Sequence, residues 1–90
     1  FKNEYVDGEM YAMSGGTLLH SRLATRMATE LSNATSGRNC TVFNSDAPVQ
    51  ATQATYFNPD VSVVCGKPML EGSDVLLNPV VIVEILSDAT

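Results

Sequence analysis

Asn58-Pro59-Asp60-Val61-Ser62-Val63-Val64-Cys65-Gly66 is the stretch from which the fold is read. Asn-Pro is a turn signal, three valines favour a pleated strand, and Gly66 closes the run. A second run of the same character follows Pro79: Val80-Val81-Ile82-Val83-Glu84-Ile85-Leu86. It is nearly continuous β-branched sequence, the pattern of a strand covered on both faces. Pro79 stands at its start, where a missing N–H does least harm. Two such strands, each carrying one acid, predict the centre of a sheet.

Further elements flank this centre. Upstream, Cys40 to Ser45 reads as a strand, and Pro48 to Ala51 as its short continuation or a partner. Tyr56-Phe57 lead into Asn58-Pro59, while Lys67 to Asn78 reads as a loop with room for one helical turn. From Leu18 to about Ala34, Leu19, Leu23, Met27 and Leu31 recur every fourth residue, with Ala24 and Ala28 beside them. That series predicts an amphipathic helix packing one stripe on the sheet, with His20, Arg22, Arg26 and Glu30 largely off the stripe. Thr17 is the expected N-cap and Ser36-Gly37 the expected stop. Glu4 to Met13, centred on Asp7-Gly8, predicts a β-hairpin, broken by Ser14-Gly15-Gly16. The expected fold class is α/β: one mixed β-sheet built from the hairpin and the strands of Cys40, Asp60 and Glu84, with a flanking helix. A second helix, not within this sequence, is expected to cover the other face, because both central strands need cover.

With 90 residues the chain is one small domain, 1–90. It starts at Phe1 without Met and ends on a polar stretch, which predicts a piece of a longer protein. Ten acids against five bases give a formal charge of −5, which argues against a broad phosphate-binding surface. Cys40 and Cys65 stand apart, without zinc spacing, and are expected as reduced, buried thiols. With no apolar run long enough to span a bilayer and no signal peptide, the expected location is cytoplasmic.

Glu84 is the most informative residue. Six apolar neighbours place it where an unpaired carboxylate would cost several kcal/mol. A metal, a basic partner or a position at the open end of the sheet would each make it tolerable; the plainer reading is an edge or salt-bridged acid. Asp60, after Asn58-Pro59, is unremarkable alone, since turn acids are common there. If the two strands are neighbours, both carboxylates come within reach of one ion. Magnesium suits such a pair, because it is held by one or two carboxylates and keeps waters and phosphate oxygens as its other ligands. His20 would be a proton shuttle, a phosphate contact or a capping residue, and Glu9 a third acid or a solvated hairpin residue. Asp46 reads as a turn acid. Arg22 and Arg26 read as solvated side chains, or paired with Glu30.

The two strand runs, with Val6-Asp7-Gly8-Glu9, Met13 to Thr17, His20 and Phe43-Asn44-Ser45-Asp46, resemble the Uma-type family of restriction-endonuclease-like proteins. That family is assigned to the PD-(D/E)XK superfamily, and the likeness runs along nearly the whole chain. The resemblance implies a Mg2+- or Mn2+-dependent endonuclease acting on DNA, with Asp60 and Glu84 as metal ligands, the carbonyl of Ile85 as a further ligand, and His20 as a catalytic candidate. Homodimer formation is consistent with it. Leu86 stands where the superfamily has a lysine, which the resemblance places on a helix beyond Thr90. Pro48 stands where the family often has a basic residue. Two alternatives stay open: a non-catalytic interaction or oligomerisation module keeping the nuclease fold, and a different metal hydrolase, which would need more than one His.

Overall fold

The computed structural model describes residues 2–6, 9–13 and 17–86, the first two segments as backbone. Strands β1 (Lys2–Val6) and β2 (Glu9–Met13) pair antiparallel, from Lys2 opposite Met13 to Val6 opposite Glu9. The expected hairpin is therefore present. The Asp7-Gly8 turn and the Ser14-Gly15-Gly16 break lie outside the described residues. Helix α1 (Leu18–Ala34) has the expected limits. Thr17 caps it, its hydroxyl accepting the His20 N–H at 3.1 Å. Gly37, with φ of 79°, follows the helix as the left-handed residue that only glycine adopts without strain. Thr17→Ala should cost about 1 kcal/mol in urea unfolding; an unchanged midpoint would show that the cap contributes nothing.

The fold class is α/β, as expected, but the strands form two sheets rather than one. Strands β3 (Cys40–Asn44), β6 (Val61–Cys65) and β9 (Val81–Val83) make a three-stranded antiparallel sheet with β6 in the middle. The hairpin belongs to the second sheet, with β4 (Val49–Thr52), β5 (Thr55–Phe57), β7 (Leu70–Glu71) and β8 (Val75–Leu76), in the order β2-β1-β5-β4-β8-β7. That sheet is mixed, since β4 and β8 run parallel. The Lys67–Asn78 segment, expected as loop, contains the two short strands β7 and β8. Each has two residues, too few for an alternating pattern to show in sequence.

The core lies between the sheets. Val49, Val64 and Leu76 are buried together, with Phe43, Ala47 and Phe57 packed against them. Val61 and Val63 point to the opposite face of β6 and are also buried, on the side where α1 packs against β3 and β6. Ser62, between Phe43 and Ile82 in the register, is fully buried, and its hydroxyl has no hydrogen-bond partner among the described residues. Ser62→Ala should therefore leave stability unchanged or raise it by up to about 1 kcal/mol in chemical denaturation. A clear loss would mean that the hydroxyl is satisfied.

Three expectations are corrected by the packing. The helix does not lean on Leu19, Leu23 and Met27, which are 61%, 45% and 38% exposed. Its half-buried side chains are His20, Ala24, Ala28 and Leu31, a stripe at helical spacing rotated from the most apolar one. The two alanines let the helix approach the sheet, and His20 turns inward with them. Second, among the described residues the strand before Glu84 is an edge strand of three residues, with Val81 and Ile82 partly exposed and Glu84 itself exposed one residue past its end. A β-branched run does not distinguish central from edge strands. Third, Cys40 lies directly opposite Cys65 across β3 and β6, and the two are joined by a disulfide. The expectation of separate reduced thiols fails, and with it that argument for a reducing compartment. Among the described residues no helix is long and apolar enough to cross a membrane.

Candidate functional site

The site lies where β6 begins and β9 ends. Asp60 precedes β6 directly and Glu84 follows β9 directly. The antiparallel ladder pairs Val61 with Val83. Asp60 and Glu84, 24 positions apart in sequence, are the residues just outside this pair, and the N–H of the next residue, Ile85, reaches the Asp60 carboxylate. Buried Pro59 holds the approach to β6, and the valines that follow anchor the strand from both faces.

Asp60 is partly buried, its side chain 12% exposed, and one of its oxygens is held by two donors. The Ile85 N–H donates to Oδ2 at 2.7 Å, and His20 Nε2 lies 3.1 Å from the same atom. Among the described residues Oδ1 takes no hydrogen bond. The His20 ring, itself 21% exposed, comes from the first turn of α1, where the Thr17 cap fixes its backbone. An ionised carboxylate is acceptor-only, so the geometry requires the proton on His20 Nε2.

The remaining candidates divide clearly. Ile85 reaches Asp60 through its N–H. Asp46 is exposed, its N–H bonded to Asn44 Oδ1 at 2.9 Å in a local turn, as turn chemistry predicts. Arg26 pairs with Glu30 at 2.9 Å across one helical turn in an exposed position, a contact of little energetic weight. Arg22 is exposed on the same helix. The Glu9 side chain lies outside the described residues. Among the described residues no group of three or more His, Cys, Asp or Glu is arranged to hold a metal. Sequence reasoning missed the join between His20 and Asp60, which are 40 residues apart; only the rotation of α1 onto its alanine face brings them together.

Over residues 1–90 the chain matches the family described as "Uma2: Putative restriction endonuclease". Two similar proteins come from Synechocystis sp. (strain ATCC 27184 / PCC 6803 / Kazusa). "Uncharacterized protein slr1290" is 38% identical over 90 residues, 99% of this chain and 47% of the relative. "Uncharacterized protein sll1609" is 29% identical over 89 residues, 96% of this chain and 50% of the relative. The chain therefore spans about half the length of the curated relatives it matches. No solved structure matches it.

Proposed function

This chain belongs to the Uma2 family, assigned to the PD-(D/E)XK superfamily, and from that premise we propose that it carries the acid pair of a Mg2+- or Mn2+-dependent endonuclease hydrolysing DNA phosphodiester bonds. The observation that supports this reading most is the pairing of Val61 with Val83, which leaves Asp60 and Glu84 as the next residues at the open end of β6 and β9. A buried metal cage needs many protein ligands, and this site has few. Two carboxylates and a backbone carbonyl suit a hard divalent ion that keeps most of its waters. Asp60 Oδ1, Glu84 and the carbonyl of Ile85 would hold it. When bound, such an ion polarises a phosphoryl oxygen and lowers the pKa of a coordinated water.

The chain's own residues supply placement. Pro59 and the valines of β6 fix Asp60, and two hydrogen bonds fix its carboxylate. Glu84 is exposed, just past the end of β9. The chain carries five Lys and Arg in all, so a long duplex contact would draw on residues outside it. Pairing into a homodimer would be one way to enlarge that contact, and the cytoplasm is where a DNA-cleaving enzyme of this kind would meet its substrate.

The test is titration calorimetry with Mn2+ and a Mg2+-dependent DNA cleavage assay on the full chain, repeated with Asp60→Asn and Glu84→Gln. Saturable binding and cleavage, both lost in each variant, are the expected result. A complete protein that binds no ion would instead be an interaction module retaining the nuclease fold, as the acidic balance and Leu86 in the lysine position would then suggest.

A further inference from the structure

Resting on the reading of Asp60 as a metal ligand, we propose that His20 is neither a proton shuttle nor a ligand but a positioning residue that makes Asp60 bind its cation through Oδ1 alone. Three observations carry this. The two donors at Asp60, Ile85 N–H and His20 Nε2, converge on one oxygen, at 2.7 and 3.1 Å. The other oxygen takes no hydrogen bond among the described residues. His20 is itself held, its N–H donating to the Thr17 cap at 3.1 Å and its ring half-buried on the packing face of α1.

Two donors on one oxygen stop the carboxylate turning about its Cβ–Cγ bond. Oδ2 then has both of its in-plane lone-pair directions occupied, so a two-oxygen grip on a cation is closed off. Oδ1 keeps its lone pairs. The ring contributes an N–H, and an Nε2 that donates to Oδ2 has no lone pair left to ligate. The arrangement resembles the outer hydrogen bonds that orient metal ligands generally, with the usual order inverted: here the imidazole orients the carboxylate.

The experiment uses the full chain and Mn2+ alone. Long-range proton–nitrogen NMR of the histidine should show a proton on Nε2 both before and after Mg2+ is added. Calorimetry should show His20→Phe weakening Mn2+ by about 10- to 100-fold, the range seen when an outer-shell partner is removed. His20→Gln, which keeps an N–H donor, should recover most of that loss. Asp60→Asn should abolish binding. Equal affinity in His20→Phe and the wild type would overturn the proposal, as would Nε2 losing its proton when the ion binds. Loss in His20→Phe as complete as in Asp60→Asn, with no recovery by Gln, would make His20 a ligand and also overturn it. If the wild type binds no Mn2+ at all, the acid-pair reading itself fails, and that result is distinct from all the others.

Discussion

Asp60→Asn should reduce Mg2+-dependent DNA cleavage on the order of 10³-fold, corresponding to about 4 kcal/mol of lost transition-state stabilisation, while leaving the fold intact. The two hydrogen bonds at Asp60 explain both halves of this expectation. The new asparagine has one carbonyl oxygen, and the Ile85 N–H and the His20 ring would both claim it. The local structure is thereby preserved. The amide nitrogen must then occupy the place of Oδ1, presenting two N–H donors where a cation needs an acceptor. Removal of the charge and reversal of the hydrogen-bonding sense act together, so the isosteric change should be nearly as severe as Asp60→Ala. Glu84→Gln should also abolish turnover, but its side chain is exposed, so its effect on thermal stability should be within about 0.5 kcal/mol. Plasmid nicking at fixed Mg2+, with thermal melts of each variant, measures both quantities. Wild-type cleavage by either folded variant would remove that acid from the site.

The second large effect concerns stability. Reducing the Cys40–Cys65 disulfide, or replacing both cysteines by alanine, should lower the unfolding free energy by about 3.5 kcal/mol, the loop-closure value for a separation of 25 residues. For a domain of this size that corresponds to a fall in Tm of about 15–25 °C. The fraction lost is large because the core is small: its buried aliphatic side chains among the described residues are four valines and one leucine. Total stabilities of such domains are about 5–15 kcal/mol. Calorimetric melts with and without reductant measure the difference, and alkylation with mass spectrometry reports whether the bond is formed. Coincident melts of the oxidised and reduced protein would refute the expectation.

Much of this architecture is legible in the sequence, and what is not has identifiable causes. The limits of α1 follow from Thr17, the spacing of its apolar residues and Gly37, all local signals. Its orientation does not, because hydrophobicity favours Leu19 and Leu23 whereas the available space favours Ala24 and Ala28. The strands of Asp60 and Glu84 are visible as β-branched runs, and the family resemblance selects the same two acids. That β9 is an edge depends on which strands lie beside it, information that no single run contains. The disulfide escapes notice for a related reason: Cys40 and Cys65 become opposite each other only once β3 and β6 are in register. The contact between His20 and Asp60 depends in turn on the helix orientation.

The alanine face of α1 has a mechanical consequence. Ala24 and Ala28 lie one and two turns beyond His20, so the gap between helix and sheet is set by two methyl groups. A bulkier side chain at either place would act as a wedge, tilting the helix and drawing the imidazole away from the carboxylate it steadies. The tuning of this centre is therefore spread along a rod, and part of its control resides in residues that carry no chemistry.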